Sequence, residues 1–196
     1  MRKMITVLAL LSLAAASCGS EPAELSGFVR DPLPSVRDVA LPDVSAGGAP
    51  FEMLAEDGGL LIVYFGYTEC PDVCPTTLAD MRKVYRELGD DGDKVSFAME
   101  TIDIERDTSE ILPAYVQSFI PEAHALRADD DVTLRAAADV FGADYSVEIT
   151  DEGKYEVAHT AHLYAIDDAG LLQVTWAFGT EPEVIVKDIR LLLNEQ

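Results

Sequence analysis

A chain of 196 residues, 48% of them hydrophobic, is long enough to bury a core and suits one domain with appendages. Its 36 acidic residues against 14 basic ones give a net charge of −22, which excludes nucleic acid as a partner and argues against binding to anionic head groups. The acidic excess serves solubility and names no substrate.

The chain opens with Arg2-Lys3, an apolar stretch from Ile5 to Ala16, and Ser17-Cys18, the order of an export signal. The stretch falls short of the roughly 20 residues that span a bilayer. Its end, "AAASC", resembles the lipobox of bacterial lipoproteins, with Ala15 where Leu is commonest. Residues 1–17 are therefore expected to be removed and Cys18 to be lipidated. A plain cleavable signal or an uncleaved anchor, with Cys18 incidental, is the alternative. Loss of Arg2 and Lys3 leaves a charge of −24, so membrane residence would rest on acyl chains alone, at about 0.8 kcal/mol per buried methylene. The expected place is the bacterial cell envelope or periplasm. Between Gly19 and Pro50 lie five prolines and no sustained periodicity. Residues 18–40 read as a flexible tether and 41–196 as the domain, with 39–55 able to form a short hairpin at its edge.

"GLLIVYFG" (59–66) is an apolar run of buried-strand length, and "PTTLADMRKVYREL" (75–88) sets Leu78, Met81, Val84, Tyr85 and Leu88 at helical spacing. "KVSFAMETID" (94–103) is the next strand. "TSEILPAYVQSFI" (108–120) is a helix interrupted by Pro113, and "DDVTLRAAADVFG" (130–142) a helix closed by Gly142. "YSVEIT" and "KYEVAHT" form a hairpin about Asp151-Glu152-Gly153. "HLYAID" (162–167) and "LLQVTWAFG" (171–179) are strands, and "PEVIVKDIRLLLNE" (182–195) is a closing helix. The pattern implies an α/β fold, a mixed sheet covered by helices.

"YFGYTECPDVCPTTL" (64–78) places Cys70 and Cys74 where the first strand gives way to its helix. Ligand sites gather there in open α/β sheets, and backbone N–H groups at a helix start favour thiolate. Residues four apart on a helix have Cβ atoms about 5–6 Å apart, whereas a disulfide prefers about 3.5–4.5 Å. The pair therefore suits a two-sulfur metal clamp, and a small structural disulfide stays open. With Cys18 acylated, these are the remaining thiols of an exported chain, in a compartment that permits disulfides. Two sulfurs usually need another ligand, and the candidates are His124, His159 and His162. If residues 160–166 are extended, His159 and His162 point to opposite faces and do not both serve one site. His124, before a short apolar segment, reads as surface or loop. Met81 and Met99 read as core. Spacing alone does not choose the third ligand.

"FGYTECPDVCPTTL", "TIDIERDTSE" and "HTAHLY", in that order, resemble the signatures of the Sco/SenC family, thioredoxin-fold copper proteins that help assemble the copper A centre of cytochrome c oxidase. The resemblance extends from about Leu41 to the last helix. It implies a thioredoxin-like sheet with helices on both faces and a β-hairpin insertion. It also implies copper, Cu(I) or Cu(II), held by Cys70, Cys74 and a histidine followed by Thr or Ser and, five residues on, by Tyr. Here that residue is His159, with Thr160 and Tyr164 in place. Asp72 and Asp103 are candidate supporting residues around the ligands. Ala158 stands where many members carry Asp, and Ile104 where Pro is usual. The implied partners are a copper donor, a thiol reductant to reopen a Cys70–Cys74 disulfide, and the oxidase subunit carrying the copper A site. The implied role is metallochaperone. The alternative is a thiol-disulfide reductase using Cys70 and Cys74 on the oxidase cysteines. A thiol peroxidase is disfavoured, because Pro71 and Tyr67 stand where Thr would precede Cys74 or Cys70 by three residues.

Overall fold

A computed structural model describes residues 24–195; the leader and Cys18 lie outside them. β1 (Ala40–Asp43) and β2 (Ala49–Glu52) form the expected edge hairpin. β3 (Leu60–Gly66) is buried along its whole length and leads into α1 (Val73–Leu88). Leu78, Met81, Val84 and Leu88 make its buried stripe. The helix starts two residues before the expected Pro75, which tolerates the first turn because no N–H is needed there. Cys74 is thus inside the helix. β4 (Val95–Thr101), α2 (Ile111–Phe119), β5 (His124–Leu126) and α3 (Asp131–Phe141) follow. The chain then forms β6 (Tyr145–Ile149), β7 (Tyr155–His159), β8 (Leu163–Ile166), β9 (Leu172–Trp176) and α4 (Pro182–Glu195).

Seven strands form one mixed sheet in the order β2-β1-β5-β4-β3-β8-β9, with β3 parallel to β4 and antiparallel to β8. β6 and β7 form a separate two-stranded sheet. Alternation along β3 sends Tyr64 toward α1 and Phe65 toward α3, where Phe65 meets Phe141 at a ring separation of 5.3 Å. Helices therefore cover both faces, as in a thioredoxin-like fold.

Two expectations change. The sequence reading has no strand at 124–126 and puts His124 at the surface. Three residues are too few for a periodicity to show. β5 nevertheless joins the β1–β2 hairpin to β4, and His124 Nδ1 lies 2.7 Å from Oδ2 of buried Asp43 while its ring packs at a tilt against Phe51, with the ring centres 4.3 Å apart. The tether also ends well before residue 40. The N–H groups of Ser26 and Gly27 donate to buried Asp188 at 2.9 Å, as does Trp176 Nε1, and Val36 is fully buried. A buried carboxylate needs donors, and this segment supplies them. A Cβ on Gly27 would come within 2.4 Å of Val174, so only glycine allows the approach.

Glu100 on β4 is fully buried and accepts one bond, from Ala128 N–H at 3.0 Å. Burial pushes its carboxyl up to about 8, so the folded protein keeps a proton that the unfolded chain releases above the ordinary value of 4.5. Stability should fall as pH rises through that window, because the unfolded state then binds fewer protons. Glu100→Gln should flatten this slope and be more stable than the parent above pH 8, by roughly 2–4 kcal/mol. Urea unfolding at pH 5 and pH 9 checks it; equal slopes in both proteins would refute it.

Candidate metal centre

The site grows from the end of β3. Residues 67–72 leave the sheet at Gly66 and turn into the N-terminus of α1. Asp72, at the helix cap, makes no side-chain capping bond, and Cys70 Sγ instead accepts the N–H of Cys74 at 3.2 Å. The thiol occupies the anion-favouring position at the helix start. Burial works against charge on Cys70, but the N–H groups of Cys74 and Asp72, the Cys74 thiol and the Tyr67 hydroxyl outweigh it and lower its pKa. Cys74 is fully buried, and that burial pushes its thiol up to about 12.

His159 closes the site from the end of β7. Its Nε2 lies 3.7 Å from Cys74 Sγ, and the donor atoms of Cys70, Cys74 and His159 all lie within 4.8 Å of one another. Burial holds the imidazole below its ordinary pKa, so it is neutral at neutral pH and keeps a lone pair. The rings of Tyr67 and Tyr64 meet it edge-on at 5.8 and 6.2 Å, and its Nδ1 is buried without a partner. Both thiols are free. Two soft sulfurs and one neutral imidazole in a mostly apolar recess suit a thiophilic ion such as copper or zinc. Among the described residues this is the cluster with metal-ligand spacing.

His162 stands apart. β7 stops at His159 and β8 begins at Leu163, so residues 160–162 form a link rather than the extended strand assumed for the alternation. The His162 ring faces Tyr164 at 6.1 Å. His124 belongs to the β1–β5 junction. The exposed Asp72 carboxylate lies 3.5 Å from Thr76 Oγ1, and what it offers Cys70 is its N–H. Buried Asp103 bonds Arg106 Nε at 2.5 Å rather than the ligands. Neither carboxylate bonds a thiol or His159. A cleft of about 810 Å3 is lined by Arg82, Tyr85, Phe97 and His124 toward the other end of α1 and shares no residue with the cluster.

Several supporting residues carry no role in the sequence reading. Asp107 is fully buried and accepts from Thr68 Oγ1 and Thr101 Oγ1 at 2.5 Å and from Thr68 N–H at 3.1 Å. It thereby ties the thiol loop to the end of β4. It lies in the "TIDIERDTSE" stretch, whose presence was visible but whose contacts were not. Gly66 is required by proximity, since a Cβ there would sit 2.5 Å from the Tyr64 ring and 3.2 Å from Cys74 Sγ.

The family model described as SCO1/SenC matches residues 44–194. The chain belongs to the SCO1/SenC family. Copper-bound ScoI of Bradyrhizobium japonicum is similar in structure, with a TM-score of 0.66 and 30% identity over 78% of this chain and 95% of that one. Apo Sco1 of Thermus thermophilus gives 0.74 and 28% over 86% and 97%. Among curated relatives, an SCO2-like protein of Rickettsia prowazekii is 28% identical over 135 residues, covering 63% of this chain and 65% of the relative. The chain thus spans under two thirds of that relative's length.

In this SCO1/SenC protein the two thiols differ in acidity and access, and only thiolate reacts quickly with alkylating agents. Limiting iodoacetamide on the reduced, metal-free protein near pH 8 should label Cys70 well before Cys74, as read by peptide mass spectrometry. Equal labelling, or Cys74 first, would contradict the geometry.

Proposed function

We propose that this protein is a copper carrier of cytochrome c oxidase assembly, binding copper through Cys70, Cys74 and His159 and passing it to the oxidase subunit that carries the copper A site. The Cys70, Cys74, His159 cluster carries the reading. Membership of the SCO1/SenC family and likeness to a copper-bound relative support it.

The chemistry follows from the protonation states. Cys70 is the thiol most easily ionised and is the first sulfur to meet incoming copper. Cys74 keeps its proton until the metal takes its lone pair, so loading releases protons and weakens as pH falls. His159, neutral before loading, supplies nitrogen without losing a proton. Soft sulfur favours Cu(I), and imidazole extends the site to Cu(II). Oxidation to a Cys70–Cys74 disulfide removes both sulfurs, so a thiol reductant must precede a copper donor.

The same pair, an acidic thiol at a helix start beside a buried one, also suits a thiol-disulfide reductase acting on the oxidase cysteines. The imidazole separates the two readings, because it ligates metal but forms no disulfide.

Among the described residues no helix is long and apolar enough to cross a membrane. Export and attachment through lipidated Cys18 form part of the proposal, supported by the leader's order and its "AAASC" end. Mass spectrometry of the mature N-terminus should find acylated Cys18; an unmodified start elsewhere would sink it.

His159→Ala should cut copper affinity strongly and oxidase assembly with it, while both thiols still cycle. His162→Ala should keep stoichiometry and the thiolate-to-copper absorption band. Full assembly in cells whose His159→Ala protein binds no copper would favour the reductase. A normal band in His159→Ala would remove His159 from the ligand set.

A further inference from the structure

The strand that carries His159 gets no ladder hydrogen bonds from the main sheet, since β6 and β7 pair with each other. Near its base, Thr160 N–H donates to the Asp144 carbonyl at 2.8 Å and Asp144 N–H to Thr160 Oγ1 at 3.1 Å. Strand alternation puts Tyr155, Val157 and His159 on one face of β7. Val157 and His159 are half-buried, while Glu156 and Ala158 are exposed on the other face.

Arg106 meets the far end of that face. Its guanidinium carbon lies 4.0 Å from the centre of the Tyr155 ring and 5.9 Å from that of Tyr67. In its own plane the guanidinium donates from Nε to Asp103 and from Nη1 to Glu69, each at 2.5 Å. Glu69 precedes Cys70, and Tyr67 meets the His159 ring. One side chain, 19% exposed, therefore touches both pieces that bring ligands together. The Asp103 end is rigid, because its N–H donates to Thr101 Oγ1 at 3.0 Å in the buried Asp107 network. A guanidinium can use its edge for carboxylates and its face for a ring at once, which an ammonium cannot.

We propose that Arg106 is a positioning residue, a clasp whose guanidinium holds the β6–β7 hairpin against the Cys70 loop and so keeps His159 beside the two thiols. The clasp rests on the reading of Cys70, Cys74 and His159 as the copper ligands. Its mechanical part needs no metal. Tyr155 serves as the removable half, since its ring is at the surface and its loss leaves the Arg106 carboxylate bonds intact.

The experiment is hydrogen exchange on the full-length, reduced, metal-free protein, with copper titration beside it. Tyr155→Ala should speed exchange of the amides of residues 145–159 by roughly 3- to 30-fold, the range a cation–π contact supports, and leave those of β3, β4 and α1 unchanged. Tyr155→Phe should restore the parent pattern, because the ring and not the hydroxyl makes the contact. Arg106→Lys should behave like Tyr155→Ala. In Tyr155→Ala copper affinity should fall by the same factor with the absorption band of the saturated protein unchanged, since the ligands are the same and only their assembly is less favourable. Unchanged hairpin exchange in Tyr155→Ala, acceleration spread over the whole domain, or failure of Tyr155→Phe to restore the pattern would overturn the clasp. Copper binding that is indifferent to His159→Ala would fail the ligand reading instead, and the metal-free exchange pattern keeps the two failures apart.

Discussion

The site depends on one buried carboxylate. Asp107 has no exposure, and a charge taken out of water is costly unless donors replace the lost hydration. Burial pushes its carboxyl above the usual range, while Thr101 and Thr68 donate to it and pull the other way. Because Thr68 is two residues before Cys70 and Thr101 ends β4, satisfying Asp107 sets where the thiol loop leaves the sheet. That position in turn decides where α1 begins and which backbone N–H meets Cys70 Sγ. Removing the carboxylate would leave the threonine hydroxyls and one N–H without their acceptor and free the loop.

From this anchor the site is assembled out of unequal parts. The sulfurs sit on the rigid side, between a fully buried strand and a helix packed on it. The imidazole sits on a separate two-stranded sheet. A centre built this way can gather three ligands without being a closed cage, which fits the proposed role of a carrier that releases its cargo. The acidity difference between Cys70 and Cys74 has the same origin. One thiol lies at the helix start among N–H donors, the other one turn inside it against the core, and dielectric surroundings do the rest.

Legibility in the sequence followed the range of the interaction. β3 and α1 could be read because an apolar run and a helical stripe are local patterns, and the β6–β7 hairpin because Gly153 marks its turn. The two cysteines could be paired because residues four apart where a strand turns into a helix lie close together, although Cys70 stands before α1 and only Cys74 is on it. His159 could not be selected by spacing: 85 residues separate it from Cys74, and only the "HTAHLY" signature distinguishes it from His162. β5 was too short to show a period. Residues 26–36 looked like linker, since two backbone bonds to Asp188 and a bridge from Phe28 to Thr175 span more than 140 residues. Arg106 and Asp107 stood inside a visible motif, yet their partners Glu69, Thr68 and Tyr155 are set by tertiary approach.

The central claim is a copper centre of two sulfurs and one imidazole. X-ray absorption at the copper edge of the reduced, copper-loaded protein tests it most directly. The account predicts two sulfur neighbours and one nitrogen neighbour with the outer-shell scattering of an imidazole ring. A copper bound by nitrogen and oxygen alone, or by sulfur with no imidazole signature, would contradict it.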